Sequence, residues 1–349
     1  LSTQWSRDGL QGSLELLMLP YLTGSIAPIP GKLKVCPEDF EVVEVPAYSP
    51  SGEGEHVFAW IEKRGLGTRD AVQRLCEVLG VEVRDAGWAG LKDRQALTRQ
   101  WISLGGTTAE AVSRAEVEGL RVLEATHHTQ KLRVGHLKAN RFTIRLRDFD
   151  PARMNDARAV LKRIERDGLP NYYGEQRFGR DGDNARRALA WVRGQERAPR
   201  SLFHRKLQMS ALQSEIFNRF VADRVETSTL GEVSAGEIAK KHATGGLFVV
   251  EDAEAEQRRV EAWEISATGP IFGAKMRWPE GPALAREQRL LADAELTLSE
   301  LAKWKRIGPG TRRFVRVPLS ELRAELAENT LHLEFTLPAG SYATILVRE

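Results

Sequence analysis

Arg141-Phe142-Thr143-Ile144-Arg145-Leu146 sets Phe142, Ile144 and Leu146 on one side of an extended chain and Arg141, Thr143 and Arg145 on the other. Alternation with period two marks a strand in a sheet with one packed face. Similar runs lie upstream. Phe40–Val45 and His56–Ile61 read as strands joined by a Pro/Ser/Gly-rich loop at 46–54, and Gln100–Leu104 and Leu120–Ala125 follow. Between them, Ala71, Val72, Leu75, Cys76 and Leu79 recur at helical spacing, with Thr68 as the expected N-cap and Gly80 as the C-cap. Neighbouring strands without long helical crossovers predict a largely antiparallel α+β sheet flanked by helices, not a doubly wound one.

Outward from this core the pattern changes. A helix is expected from about Pro151 to Asp167, closed by Gly168, and Ala/Arg-rich helices near 184–193 and 210–226. A Gly/Lys-containing strand region follows at 232–250, then one long helix over 284–304, and strands at 313–317 and 331–337. A chain of 349 residues exceeds one ordinary core. The expected domains are a sheet domain over 1–169, an inserted α/β domain over 170–305, and a return to the first domain over 306–349.

Composition narrows the functional classes. Apolar residues make up 42% and charged residues 28%, as in a soluble globular protein. No apolar run is long enough to span a bilayer. Leu1-Ser2-Thr3-Gln4-Trp5 lacks the basic-then-apolar order of a signal peptide. Two cysteines, Cys36 and Cys76, without a CxxC, exclude a disulfide or zinc framework and fit a reducing cytoplasm. The net charge is only +3, yet residues 171–206 carry nine basic and four acidic side chains, a local +5. Such a stretch suits a phosphate-binding face as well as a solvated helix face.

Several chemistries drop out. Gly31-Lys32-Leu33 lacks the spacing and hydroxyl of a phosphate-binding loop, and Gly245-Gly246 reads as a turn. His127 and His128 are adjacent on a strand, point to opposite faces and have no second ligand set, so a structural role is expected for them and no metal. Carboxylate chemistry remains. In Gly90-Leu91-Lys92-Asp93-Arg94-Gln95-Ala96-Leu97-Thr98-Arg99-Gln100 an acid stands between two cations in a loop between strands. Lys92 and Arg94 would hold Asp93 ionised as a nucleophile or base; a solvated turn has the same charge pattern.

Gly90-Leu91-Lys92-Asp93 with Thr98 and Gln100-Trp101 resembles the catalytic motif of the TruD family of pseudouridine synthases. Five further blocks resemble that family in its order: Leu33-Lys34 with Pro37–Glu44, Gly52–His56, Asn140-Arg141-Phe142, Pro170–Gly179, and Leu337–Thr344 with Val347-Arg348-Glu349. The resemblance covers nearly the whole chain and implies a pseudouridine-synthase-like mixed sheet with an inserted second domain. It departs in two places: Tyr342 stands where some members have Phe, and the family pattern continues as a helix where this sequence reaches Glu349.

What the resemblance implies is a tRNA pseudouridine synthase of the bacterial or archaeal type, acting on uridine 13 in the D-arm region. Asp93 becomes the essential carboxylate, attacking covalently or removing a ribose proton to give a glycal. Lys34 orients or charge-balances Asp93, Asn140 reads a uracil edge, and Phe142 and Tyr342 flank the flipped base. Arg94, Arg99, Asn171 and Arg177 are expected at the substrate, the arginines on phosphates. The isomerisation involves no redox or group transfer, so no cofactor or metal is implied, and tRNA is the partner of a monomer without an obligate protein partner. A non-catalytic tRNA-binding or chaperone protein on the same fold is the alternative, against which Asp93, Lys34 and Asn140 stand intact. A methyltransferase lacks its glycine-rich loop after a strand.

Overall fold

The computed structural model describes residues 19–349, which form two compact units; Leu1–Trp5 lie outside the described residues. The sheet unit comprises Ile26–Lys162 and Leu319–Gly340. Its eight strands are β1 (Phe40–Pro46), β2 (His56–Arg64), β3 (Gly87–Trp88), β4 (Leu97–Gly105), β5 (Leu120–His128), β6 (Leu137–Arg147), β13 (Ser320–Ala327) and β14 (Thr330–Pro338). They run β13-β14-β6-β1-β4-β2-β5, with β3 beside β4. Among the described residues only the β1–β4 pair is parallel, so the mixed, largely antiparallel α+β sheet expected from the alternation is what forms.

Register decides which side chains share a face. Val42 lies opposite Phe142 of β6 and Thr98 of β4, and Thr98 lies opposite Lys63 of β2. One face therefore carries Phe40, Val42, Glu44, Thr98, Gln100 and Lys63 beside Asn140 and Phe142. Helix α1 (Thr68–Leu79) covers part of this face, burying Ala71, Val72, Leu75 and Cys76 against Val57, Ala59, Ile61 and Ile102. Gly80 closes α1 in the left-handed region (φ 68°) as expected. The N-cap, however, is Gly67; Thr68 is the first helical residue and its hydroxyl is used elsewhere. Helix α2 (Ala109–Ser113) precedes β5, and α3 (Met154–Asp167) leads out of the sheet unit.

The mixed unit contains the described residues up to Ser25, Arg163–Pro318 and Ser341–Glu349. In chain order it holds β7 (Leu169–Pro170), α4 (Asn184–Val192), α5 (Leu202–Glu226), β8 (Ile238–Lys241), β9 (Leu247–Val249), α6 (Ala253–Glu261) and β10 (Ile265–Ile271). α7 (Gly281–Asp293), α8 (Leu298–Lys303), β11 (Thr311–Phe314), β12 (Arg316–Val317) and α9 (Ala343–Arg348) complete it. Trp191, Leu212, Ile216, Phe272 and Leu291 anchor its core.

Two expectations differ from what forms. The units divide at 25/26, 162/163, 318/319 and 340/341, where divisions at 169/170 and 305/306 were expected; β11 pairs with β10 and β12 with β7, which keeps 306–318 in the mixed unit. The chain rejoins the large sheet only with β13 and β14, where β14 pairs with β6. The single helix expected over 284–304 is two. Glu295 turns left-handed (φ 53°), and Thr297 restarts the chain as an N-cap, exchanging hydrogen bonds with Glu300. Among the described residues no helix is long and apolar enough to cross a membrane.

Candidate active site

The loop from Gly90 to Ala96, between β3 and β4, is fastened by buried polar groups of the sheet unit. Thr68 Oγ1 accepts the Lys92 N–H at 2.9 Å and donates to Gln100 Oε1 at 2.8 Å, while Gln100 Nε2 donates to the Gly90 carbonyl at 3.1 Å. Lys92 Nζ donates to Glu44 Oε2 at 2.7 Å in a pair whose side chains are 5% and 1% exposed. Glu44 Oε1 also accepts the Trp101 N–H, tying loop to sheet. Burial raises the Glu44 carboxyl above its ordinary range, and the Lys92 ammonium opposes that rise. Breaking such a pair by removing one partner costs about 3–5 kcal/mol, because the other charge is left buried.

Lys92 is thus committed away from Asp93, and exposed Arg94 donates to the Gly65 carbonyl at 3.3 Å. Neither holds the Asp93 carboxylate as their adjacency suggested. Lys34 does: its Nζ is 3.0 Å from Asp93 Oδ2, with the two side chains 16% and 28% exposed. Lys34 also lies 4.1 Å over the Phe40 ring, a cation–π contact on the sheet face. Its backbone is left-handed (φ 57°), a conformation that costs a non-glycine residue about 1 kcal/mol or more. Flanking bonds hold it there. Lys32 and Arg147 exchange both backbone hydrogen bonds, and Asp39, fully buried, takes the Arg147 guanidinium and the Cys36 N–H.

Asn140 and Phe142 lie on the sheet face that carries Phe40 and Glu44. Phe142 is 6% exposed, stacked on Phe335 (5.3 Å) and edge-on to Phe40 (6.1 Å), so it is a packed ring of the core. Asn140 Oδ1 is buried and has no hydrogen-bond partner among the described residues. An acceptor left in that state costs about 1–3 kcal/mol. Arg99 is not brought to Asp93: it projects from the other face of β4, paired with Glu62 at 2.8 Å.

The remaining expected site residues lie in the mixed unit. Asn171 spends its amide inside the protein, donating to the Phe314 carbonyl (2.9 Å) and accepting from Arg313 (2.6 Å). These bonds hold Asn171 against β11. Arg177 donates to Ser214 (3.1 Å) and Ser210, and its guanidinium sits 5.0 Å from the Tyr173 ring. Arg313 covers the same ring at 4.0 Å. Half-buried Tyr342 meets Tyr173 edge-on at 6.0 Å and is the N-cap of α9.

His127 and His128 fasten the 46–54 loop, through the Gly54 carbonyl and the Ser51 N–H. Among the described residues no group of three or more metal-ligating side chains assembles. Sequence reasoning missed Lys63 and Glu44. Both break an apolar face at a period-two position, Lys63 after Val57, Ala59 and Ile61, and Glu44 after Phe40 and Val42. That was the signal that could have found them.

The family model for tRNA pseudouridine synthase D (TruD) matches residues 16–194 and 185–349. The tRNA pseudouridine synthase D of Anaeromyxobacter sp. (strain Fw109-5) is 45% identical over 335 residues, covering 95% of each chain. That of a Thermus thermophilus strain is 45% identical over 332 residues, covering 95% of this chain and 91% of its own. A crystal structure of the putative tRNA pseudouridine synthase D (TruD) from Methanosarcina mazei superposes with a TM-score of 0.73 over 96% of both chains, at 22% identity, and so shares the fold. With a family model spanning almost its whole length and relatives at this level of identity, the chain belongs to the TruD family of pseudouridine synthases.

Proposed function

We propose that this protein isomerises uridine to pseudouridine in transfer RNA, with uridine 13 of the D-arm region as the target and Asp93 as the essential carboxylate. The relatives at 45% identity are named for that activity on tRNA, which supports the substrate class. The observation that carries the role of Asp93 is its pairing with Lys34 at 3.0 Å in a loop whose Gly90 carbonyl, Lys92 N–H and Lys92 ammonium are bonded to buried groups of the sheet unit. A carboxylate paired with one cation on a pinned loop is fit to attack ribose C1′ or to take a ribose proton.

The reaction breaks the bond from C1′ to uracil N1 and makes one from C1′ to C5; C5 gives up its proton and N1 gains one, so the mass is unchanged. The base must leave its stack to be reached. The unpartnered Asn140 Oδ1 suits the N3–H of a uracil, which would supply the missing donor. Tyr342 is proposed as a ring against the base, with Phe142 behind Asn140 as packing. Arg94 and Arg177, with the basic stretch 171–206, are proposed contacts to tRNA phosphates. Asn171 and Arg99 support the scaffold. The enzyme is taken to work in the cytoplasm as a monomer, without cofactor or metal.

Incubation with unmodified tRNA and no added cofactor tests this. The expected product is a uridine isomer of unchanged mass at position 13. Tight tRNA binding with no isomer would establish the binding-protein alternative instead.

A further inference from the structure

Lys63 is 0% exposed, on the sheet face that α1 covers. Its Nζ donates to three main-chain carbonyls: Leu66 at 2.6 Å, Asp93 at 2.9 Å and Lys92 at 3.4 Å. An ammonium has three protons, so donors and acceptors match in number. Two of the three acceptors belong to consecutive residues of the loop that carries Asp93. A buried cation is expensive, and a fold gains little by spending one on carbonyls that another turn could satisfy.

We propose that Lys63 is a positioning residue for the reaction: its ammonium draws the Lys92 and Asp93 carbonyls against β2 and so sets the attitude of the Asp93 carboxylate toward Lys34. This rests on Asp93 being the reacting group. With Thr68, Gln100 and Glu44 gripping Gly90 and Lys92, Lys63 grips the main chain of Asp93, while Lys34 meets its carboxylate.

The charged groups facing Lys63 are Asp93 and Lys92 from the loop and Asp70 from α1. Burial pulls its ammonium down to about 8, with Lys92 adding to the fall and the two aspartates opposing it. The sign for stability follows. Between that value and the usual lysine range the unfolded chain holds a proton that the folded chain has lost. This group's contribution to stability therefore rises with pH across that window. Turnover moves the other way. A neutral amine has two protons for three carbonyls, so one of the three loses its donor and the positive charge behind Asp93 is gone.

Single-turnover rates of the full chain on unmodified tRNA, from about pH 6 to about pH 10, together with melting at each pH, read both effects. The wild type is expected to lose rate through about pH 8 without a matching loss of folded protein. Lys63→Met is expected to lower the saturating rate about 100-fold, the scale of a small misplacement of a reacting group, with half-saturating tRNA changed less than about threefold. Lys63→Gln, which keeps two donors and the loop's fold, is expected to fall between and to lack the alkaline limb. A folded Lys63→Met or Lys63→Gln with wild-type rate, or an alkaline limb unchanged in Lys63→Gln, overturns the inference. Asp93→Asn, run alongside, separates the two claims: if it turns over, the role of Asp93 fails first; if it is inactive while Lys63→Gln is normal, only the positioning role fails.

Discussion

Asn140 has a buried amide oxygen with no partner among the described residues, on a strand held by sheet bonds to both its neighbours. Stability alone would remove such a group, since the missing bond costs about 1–3 kcal/mol. Asn140→Ala is therefore expected to leave the melting temperature unchanged or slightly raised. Its turnover on tRNA is expected to fall at least about tenfold, the worth of one hydrogen bond of about 1.4 kcal/mol. A sharp drop in melting with a normal rate per folded molecule would make Asn140 a structural residue. Legibility at this scale was uneven. Asp93, Lys34 and Asn140 stand in blocks that the family resemblance brings out. Which cation holds Asp93 was not visible, because Lys92 and Arg94 flank it in sequence while Lys34 reaches it from 59 residues away. Charge adjacency along a chain says little about side-chain direction in a pinned loop.

At the scale of elements, alternation located β1, β2, β4, β5, β6 and β14, where apolar and polar positions differ strongly. It failed at β13. Glu321, Leu322, Arg323, Ala324 and Glu325 are good helix formers, and their strand is set by pairing with β14 at the sheet's edge, where charges are tolerated. Buried on all seven positions, β10 shows no alternation to read. The helix expected over 284–304 was over-extended for a related reason: its composition is helical throughout, and only the Thr297–Glu300 capping box marks the break. Thr297→Ala removes that cap and is expected to cost about 1 kcal/mol, or roughly 2–4 °C in the melting of the mixed unit. No measurable shift would mean that packing of Leu301 alone holds α8 in place.

At the scale of the molecule, the local +5 of residues 171–206 sits in a chain of net charge +3. Several of its arginines have partners: Arg187 pairs with Asp183 at 2.6 Å, Arg186 with the same carboxylate at 3.6 Å, and Arg193 with Glu295. Surface pairs of this kind are worth less than about 1 kcal/mol, so a phosphate can compete for either arginine. Reversing Arg186 and Arg187 to Glu is expected to weaken tRNA binding and to flatten the slope of log affinity against log salt by roughly 0.7–0.9 per lost phosphate contact. An unchanged slope would return both side chains to the solvated face of α4.

In the proposed reaction Asp93 performs the isomerisation while the rest of the chain binds and places the tRNA. Asp93→Asn tests it most directly, because the amide is nearly the same size and removes only the charge that Lys34 holds at 3.0 Å. Pseudouridine formed in single turnover and tRNA affinity are measured on the same preparation. No isomer is expected, with tRNA affinity within a few-fold of wild type. Isomer formation above about a tenth of the wild-type rate would contradict it, since loss of an essential carboxylate costs far more than the one tenfold step of about 1.4 kcal/mol.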